Sequence, residues 1–222
     1  PLDYALEGMW ENRRILLAAN GAGPSLASHS VEIAVRAASM AELSASRLEA
    51  VVSTGYCGAL DPELRESQIV VGTEILDSET NEIFACIPAE SDAAFVSGRI
   101  VSQDRIAVSA AEKQQLSRHG AIAVDMESSG VAARAKRAGL PFAAIRAVSD
   151  CADESFAFDL NCMRTAEGRM RTGKIINYAL THPRAIPELR RLKRRAENAS
   201  RALGEFLAGS RIRSTPDNPP SA

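Results

Sequence analysis

Apolar residues recur along this chain at two spacings, which predict strands alternating with helices. Short continuous apolar runs, typical of buried strands, lie at 14–19, 48–53, 67–76, 83–87, 98–101 and 142–148. Apolar residues three or four positions apart predict helices over 25–46, 131–138 and 163–180, and the polar segment 108–118 is also predicted to be helical. A chain of 222 residues is long enough for one substantial α/β domain, or two small ones.

Residues 121–154 form the stretch around which the rest is organised, and they read as strand, helix, strand and loop. The first strand ends at Asp125-Met126-Glu127, and the helix stops at Gly139-Leu140-Pro141. The second strand is broken only by Arg146 and is followed by Ser149-Asp150. About thirty residues is the length that a parallel β-α-β crossover needs. Since ligands bind at the carboxyl ends of strands in open α/β sheets, these charged side chains predict a site.

Two further strands are followed by glycine-rich turns, Asn20-Gly21-Ala22-Gly23-Pro24-Ser25 and Thr54-Gly55-Tyr56-Cys57-Gly58. A strand, a glycine turn and a helix can place backbone N–H groups around an anion or a polar ligand. Neither turn has the spacing of a dinucleotide fingerprint or a P-loop, so neither kind of binding follows. A plain tight turn stays open as the interpretation of the first segment.

The C-terminal segment is basic and amphipathic. Residues 184–213 contain nine Lys and Arg against three Glu, although the whole chain has a net charge of −2. This excess is typical of a solvated helix face, with nucleic acid or an anionic membrane surface as alternatives. The spacing after Pro187 predicts a helix that packs on the domain or on a partner subunit through Leu189, Leu192, Ala196, Ala199, Leu203 and Phe206.

Composition narrows the expected cellular setting. No apolar run reaches about 18 residues, so we expect no membrane span. The start of the chain lacks a basic segment followed by an apolar core, so no signal peptide is predicted. The four cysteines show no metal-binding spacing and are expected to be free thiols of a cytoplasmic protein. We expect neither a metal nor a cofactor.

At this point the motifs resemble a known family. VDMES at 124–128 and IRAVSD at 145–150, with NGAG at 20–23 and TGYCGALDP at 54–62, resemble the purine nucleoside phosphorylase/nucleosidase superfamily. Over about residues 14–180 the chain is similar to methylthioadenosine/S-adenosylhomocysteine nucleosidase-like members. Its Leu- and Arg-rich C-terminal helix resembles that of hopanoid-associated members, which are thought to remove adenine from an adenosylated lipid.

The resemblance implies a three-layer αβα sandwich around a mixed, twisted central sheet. On this interpretation residues 1–182 form the nucleoside phosphorylase/nucleosidase-like domain, 183–213 a C-terminal amphipathic helical extension and 214–222 a disordered tail. Members of the superfamily are dimers or hexamers, so a homo-oligomer, most simply a dimer, is implied. Nucleic acid is not expected as a partner, and peripheral membrane contact through the basic helix stays open.

The implied reaction is cleavage of the N-glycosidic bond of a purine nucleoside, with adenine as the expected base. Asp150 would protonate the leaving purine at N7, and the apolar surroundings of 142–148 would favour the protonated carboxyl that this role requires. Ser149 would hold Asp150 in place. Glu127 would stay ionised and accept hydrogen bonds from the ribose hydroxyls, while Met126 would pack against the sugar.

Further substrate-binding residues are implied in the glycine turns and before the helix at 108–118. These residues are Gly21, Thr54, Gly55, Tyr56, Cys57, Gly58, Ile106 and Ala107, the last two through backbone groups that read the purine edge. Taken singly, the charged residues have plainer interpretations. Glu127 could be a carboxylate at a helix N-terminus, Asp150 a cap and Arg146 half of a strand-end ion pair, while Met126 could be core.

Water is the acceptor that the resemblance favours. Phosphorolysis needs cationic groups to hold phosphate, and phosphorylases of this superfamily carry an arginine just before the second glycine turn. Here neither VVSTGYCGAL nor NGAGPS contains a basic residue. Arg146 matches the arginine that nucleosidases use to position the attacking water. Phosphorolysis stays the alternative, because Gly-Pro-Ser after the first turn also occurs in phosphorylases.

Residues 1–13 are predicted to be a loop or a frayed edge, so the chain apparently lacks the superfamily's usual first strand. In nucleosidases that strand ends in a glutamate that acts as a base toward water, and Glu7 and Glu11 do not follow an apolar run. We therefore expect a piece of a longer chain, a start assigned too late, or catalysis without that base. A nucleoside-binding protein with little turnover is the alternative from another class.

Overall fold

The structure is a computed structural model that describes residues 2–10, 13–40, 48–165, 174, 178 and 181–212. The described strands are β1 Tyr4–Trp10, β2 Arg13–Ala19, β3 Val51–Ala59, β4 Ile69–Asp77, β5 Ile83–Ala85, β6 Ala89–Ser91, β7 Val96–Ser102, β8 Ala121–Asp125, β9 Phe142–Asp150 and β10 Ser210–Ile212. The described α-helices are α1 Pro24–Met40, α2 Ala110–Ser117, α3 Ser128–Arg137 and α4 Ile186–Gly209.

Several predicted elements fall on residues outside this description. These are the end of the first helix after residue 40, most of the helix predicted over 163–180, and the tail at 214–222. Within the described part, Leu160–Met163 forms a short 3₁₀ helix where the long helix was predicted to begin. The strands β4, β5, β7 and β9 and the helix α2 lie within a few residues of their predicted positions.

A six-stranded mixed sheet forms the centre of the molecule, in the order β5-β4-β7-β8-β3-β9. β4, β7 and β8 run parallel to one another, whereas β3 is antiparallel to β8 and parallel to β9. β9 also pairs with β4 in antiparallel register, so five of the strands close on themselves. β9 is paired along both edges, and residues 142–148 are buried on both faces, which explains their predominantly apolar run.

The predicted parallel crossover at 121–150 is wrong. β8 and β9 are joined through α3, but β3 lies between them and is antiparallel to β8. The ends of the strands nevertheless meet, because Gly58 on β3 pairs with both Val124 and Asp150. The length of the connection was compatible with a crossover, but strand order depends on distant β3, which local periodicity does not report.

Helices cover both faces of the sheet and make the predicted three-layer αβα arrangement. On one face, α1 and α3 pack in a cluster with β3, β4 and β9 that includes Ala27, Val31, Val131 and Ala132. On the other face, Ala199, Leu203 and Phe206 of α4 pack on Ile69, Val71, Ile145 and Ala147. The predicted fold class is confirmed, and the chemistry-bearing ends of β3, β8 and β9 lie between these layers.

The apolar stripe of α4 packs on its own domain. Ala199, Leu203 and Phe206 are buried, and Leu189, Leu192 and Ala196 are half-buried. Arg195, also buried, pairs with Glu154 and Glu66 at 2.5 Å each. The buried part of the stripe thus packs on the domain, while packing on a partner subunit stays a prediction. None of the helices in the described part of the chain is long and apolar enough to cross a membrane.

The N-terminal residues form a separate β-hairpin. β1 pairs with β2 in antiparallel register from Tyr4–Ala19 to Trp10–Arg13. The prediction of a loop over 1–13 is therefore wrong for Tyr4–Trp10, and the prediction of a buried strand at 14–19 is wrong in its burial. Both strands are largely exposed, because neither pairs with the six-stranded sheet. Glu7 lies on β1 and is paired with Arg14, which lowers the pKa of its exposed carboxyl.

Gly130 sets the distance between α1 and α3. A Cβ atom added there would lie 2.0 Å from the carbonyl oxygen of Pro24. We expect Gly130→Ala to lower the free energy of unfolding by about 1–3 kcal/mol, because backbone must move to relieve the clash. Gly204→Ala is the control, since nothing lies within 4 Å of a Cβ there, and it should gain about 0.5–1 kcal/mol. Denaturant unfolding measures the free energy of unfolding of both variants. Equal changes in the two would contradict the close contact of Gly130 with Pro24.

Candidate active site

Asp150 lies at the C-terminal end of β9, against the end of β3. Its side chain is buried, and a Cβ atom on Gly58 would lie 3.0 Å from Oδ2. The Ser149 hydroxyl donates to Asp150 Oδ1 at 2.7 Å, and the same hydroxyl lies 3.2 Å from the carbonyl oxygen of Cys57. Ser149 thus contacts Asp150 as predicted, and the absence of a side chain at Gly58 leaves the space that the carboxylate occupies.

A buried lysine lies on the other oxygen of Asp150. Lys113 of α2 is 1% exposed, and its Nζ is 2.5 Å from Asp150 Oδ2. The ammonium also donates to the carbonyl oxygen of Cys151 at 2.6 Å and lies 5.7 Å from the centre of the Phe156 ring. The strand 142–148 is buried as expected, but the surroundings of Asp150 also include a cation, which the sequence did not predict.

A second buried ion pair joins β8 to β9. Arg146 Nη2 and Nε lie 2.5 and 2.7 Å from Asp125 Oδ2, and neither side chain is exposed. Arg146 Nη2 also donates to Ser53 Oγ and Ser128 Oγ, both at 2.7 Å. Ser128 in turn donates its hydroxyl to Asp125 at 2.5 Å. The network connects β3, β8, β9 and the first residue of α3.

The Arg146 guanidinium is fully buried among protein acceptors, and its expected role in positioning water stays a prediction. All the hydrogen bonds described for its guanidinium go to protein oxygens, namely those of Asp125, Ser53, Ser128 and Ile145. The strand-end ion pair is the interpretation that these contacts favour. Arg146 can still affect the chemistry, because it holds the first residue of α3 next to Glu127.

Glu127 precedes α3 and faces the first glycine turn. The Gly23 N–H donates to Glu127 Oε1 at 3.1 Å, and Gly23 has a φ of 111°, which a residue with a side chain rarely adopts. Burial, followed by the nearby Asp125 carboxylate, raises the pKa of Glu127. Arg146 and the Gly23 and Met126 N–H groups act in the opposite direction. The direction of this pKa shift runs against the expectation that Glu127 stays ionised.

The second glycine turn is not a turn. Thr54–Gly58 continue β3, which ends only at Ala59, with an irregularity in pairing between Cys57 and Gly58. Cys57 and Gly58 contact Ser149 and Asp150, as described above. Tyr56 instead contacts Ser200 of α4 through its hydroxyl, and Thr54 is exposed. Burial raises the pKa of the Cys57 thiol far above its usual range, so this cysteine stays protonated.

The segment expected to read the purine edge is already hydrogen-bonded. The Asn161 carboxamide accepts from the Ile106 N–H at 2.8 Å and donates to the Ile106 carbonyl at 3.1 Å. Ala107 is buried in a cluster with Val101 and Val124. Met126 is half-buried, and Gly21 is exposed with a φ of 87°. Of the first turn, Gly23 rather than Gly21 contacts a predicted site residue.

A cavity of about 540 Å³ lies beside the loop after β9. It is lined in part by a stack of rings, with 4.9 Å between the centres of Phe158 and Tyr178 and 4.3 Å between those of Tyr178 and His182. None of the predicted site residues is among its described lining residues. The clustered charges, and not this cavity, therefore define the candidate active site.

The sequence interpretation missed three residues of this cluster. Asp125 stands inside the VDMES motif but was assigned only to the end of a strand. Gly23 stands in the predicted turn, two positions after the glycine that was chosen. Nothing in the sequence indicated a buried role for Lys113, because a single lysine in a polar helix is usually exposed to solvent. Only the packing of α2 against the end of β9 buries it.

Comparisons with known proteins agree with this fold. Residues 82–180 match the family model of the phosphorylase superfamily. A comparison of the chain with curated protein sequences finds no match. The sequence match thus includes β5 to β9, and with them both strand ends that carry the predicted motifs.

Solved structures resemble the chain over most of its length. A 5'-methylthioadenosine/S-adenosylhomocysteine nucleosidase from Neisseria meningitidis, in complex with methylthio-immucillin-A, has a TM-score of 0.66 at 21% identity, over 92% of this chain and 84% of that one. An S-adenosylhomocysteine nucleosidase from Streptococcus pyogenes has a TM-score of 0.66 at 16% identity, over 92% and 81%. A futalosine hydrolase mutant of Helicobacter pylori has a TM-score of 0.56 at 20% identity, over 69% and 76%.

These similarities define the class of protein. The chain has the nucleoside phosphorylase/nucleosidase fold, with the phosphorylase-superfamily match over 82–180. The resemblance predicted from VDMES and IRAVSD is confirmed for the fold of the chain and by the superfamily match over residues 82–180. At about one-fifth identity, the solved structures support the fold and leave the residue roles to the geometry of this chain.

Asp125→Asn tests the buried pair on β8 and β9. It leaves the Arg146 guanidinium without its counter-charge, so we expect the free energy of unfolding to fall by about 3–5 kcal/mol. Ser53→Ala is the matched control, because it removes one neutral acceptor from the same guanidinium and should cost about 1–3 kcal/mol. Denaturant unfolding measures both, and an Asp125→Asn protein no less stable than Ser53→Ala would contradict the assignment.

Glu127→Gln tests the raised pKa of Glu127. Above pH 4.5, the ordinary value, the folded protein holds this proton more tightly than the unfolded chain does. As the pH rises above 4.5, the wild-type protein therefore loses folding stability until Glu127 has lost its proton in the folded state as well. The amide of Glu127→Gln does not titrate, so the variant does not lose stability in this way. We expect the melting temperature of the wild type, relative to Glu127→Gln, to fall as the pH rises from 4.5 toward neutrality. A constant difference would show that the pKa is not raised.

Proposed function

We propose that this protein cleaves the N-glycosidic bond of a purine nucleoside, with adenine as the base, and that water is the acceptor. The observation that carries the proposal is the meeting of three strand ends at Gly58. There Gly58 pairs with Asp150, whose buried carboxyl is held by Ser149, and with Val124, which adjoins the Asp125 carboxylate that pairs with Arg146. Superfamily membership of residues 82–180 supports the same reaction class.

In the proposed reaction, the bond between the purine and the sugar breaks as positive charge develops on the sugar carbon. Asp150 passes a proton to N7, so the base leaves without a negative charge. Glu127, as a carboxylate, accepts hydrogen bonds from the ribose hydroxyls, and Met126 packs against the sugar. A carboxylate accepts these hydrogen bonds better than a carboxylic acid does. Because burial raises the pKa of Glu127, sugar binding should strengthen as the pH rises and the carboxyl loses its proton.

Hydrolysis is preferred because the described site offers little to hold phosphate. Neither glycine segment carries a basic residue, and Arg146 is engaged by Asp125 and two serines. One observation favours phosphorolysis as the second candidate. Arg164 Nη2 lies 3.5 Å from the carbonyl oxygen of Ala22 in the first turn, although Asp104 pairs with it at 2.8 Å.

Asp150→Asn tests the acid role. We expect turnover to fall by about 10²–10⁴, the usual contribution of a general acid, while the affinity for adenine changes much less. Asp153→Asn is the matched control, because Asp153 is exposed in the following loop and should turn over normally. Base release from a series of 5′-substituted adenosines measures both. An Asp150→Asn protein with wild-type turnover would remove Asp150 from this role.

The same assay, run with and without inorganic phosphate, separates the candidates. Release in buffer alone supports hydrolysis, and release only with added phosphate supports phosphorolysis. Calorimetry that shows adenine or nucleoside binding without release would instead favour a binding protein with little turnover. No binding and no release of any purine would exclude all three.

A further inference from the structure

We propose that Lys113 is the source of the proton that Asp150 passes to the leaving purine. This inference rests on the proposed function of Asp150 and deepens it. The candidate acid has to be protonated when the base leaves, yet Lys113 Nζ lies 2.5 Å from Asp150 Oδ2. An opposite charge at this distance stabilises the ionised carboxylate. The pair resolves this conflict if the proton rests on Lys113 until the base leaves.

Burial makes the transfer between the two groups inexpensive. Lys113 is 1% exposed and Asp150 is 6% exposed, so both charges have lost most of their contact with water. Desolvation penalises the ion pair but not the neutral pair of amine and carboxylic acid. The two forms are therefore closer in free energy here than at a surface, and a short contact already joins the two atoms that exchange the proton.

The other contacts orient both partners for this exchange. Lys113 donates to the carbonyl oxygen of Cys151 and faces the Phe156 ring, which leaves its remaining N–H directed by the ion pair. Asp150 accepts from Ser149 on Oδ1 and from Lys113 on Oδ2. An ionised carboxylate has about four lone-pair positions. The contacts with Ser149 and Lys113 leave some of them open, so an oxygen of Asp150 can carry an O–H directed at a purine nitrogen.

The step balances in atoms and charge. An N–H bond of the Lys113 ammonium breaks as an O–H bond forms on the Asp150 carboxylate, and that O–H bond breaks in turn as an N–H bond forms at N7 of the purine. The bond between the sugar carbon and the purine breaks, and its electron pair goes to the base. Lys113 is left as a neutral amine as the sugar becomes cationic. Water captures that cation and releases one proton, which restores the ammonium.

Other titratable groups near the pair have their own partners. On α2, Glu112 pairs with Arg105 and accepts from the Val108 N–H. In the loop after β9, Glu154 accepts from the Cys151 N–H and pairs with Arg195. On β3, burial keeps the Cys57 thiol protonated. Lys113 is thus the cation described in contact with Asp150, and a change in pH dependence on its substitution reports on this pair.

Two substitutions separate a proton source from a fixed charge. Lys113→Met removes both the charge and the proton, whereas Lys113→Arg keeps the charge on a guanidinium that does not lose a proton in proteins. If Lys113 supplies the proton, we expect both variants to lower kcat by about 100-fold or more, with KM changed far less. Lys136→Met is the control, since that lysine is exposed and pairs with Glu82 on the surface.

Combining substitutions gives a further readout that a bracing role would not produce. In an Asp150→Asn background, adding Lys113→Arg should lower kcat by less than a further threefold. Residues that act as one unit show non-additive losses, because removing either one already removes the shared function. The pH profile of kcat should also lose its alkaline limb in Lys113→Arg. A Lys113→Arg enzyme within threefold of wild type, or losses that multiply with those of Asp150→Asn, would overturn the proposal. If Lys113→Met does not fold, Lys113→Arg alone decides.

Failure of the proposed function is distinguishable from failure of this inference. If the wild type releases no base from any nucleoside, the function fails, and the carbon NMR signal of the Asp150 carboxyl then tests the pair. We expect the signal to agree in the wild type and in Lys113→Arg and to differ in Lys113→Met, because only the methionine removes the cation in contact with Asp150 Oδ2. The same signal in wild type and Lys113→Met would overturn the pairing of the two groups.

Discussion

The buried ion pair between Arg146 and Asp125 is the constraint on which the candidate site depends. It joins the middle of β9 to the end of β8, and the serines on β3 and α3 complete its hydrogen bonds. A charge in this position can stay only while its partner stays, because an unpaired buried charge costs several kcal/mol. The pair therefore holds the beginning of α3, and with it Glu127, in one place relative to β9.

Two carboxyl groups lie around this frame in contrasting environments. Glu127 is half-buried near the like charge of Asp125, its pKa is raised first by burial and then by that charge, and it receives the Gly23 N–H. Asp150 instead meets a cation and a hydroxyl. Environments of this kind separate the tasks of neighbouring carboxyls, which is how one site can both donate a proton and accept hydrogen bonds from a sugar.

The central sheet that carries the site is well packed, whereas the N-terminal hairpin is exposed. Two layers of helices seal the sheet that carries Asp125, Arg146 and Asp150, and Arg195 ties α4 to the loop that follows Asp150. The hairpin β1–β2 lies outside this packing, with apolar side chains such as Leu6, Met9 and Trp10 exposed. The parts that hold the proposed proton transfer are thus the ones fixed by the core.

The sequence by itself determined the α/β class, most strand and helix positions, the resemblance to the nucleoside phosphorylase/nucleosidase superfamily, and the importance of 121–154, because local periodicity and short motifs carry that information. Only the tertiary structure decided that β3 lies between β8 and β9, that 54–58 is a strand, and that β2 is exposed. It also decided that Arg146 pairs with Asp125 and Asp150 with Lys113. Strand order and buried pairing depend on residues far apart in the chain, and a lysine looks solvated until distant elements exclude water from it.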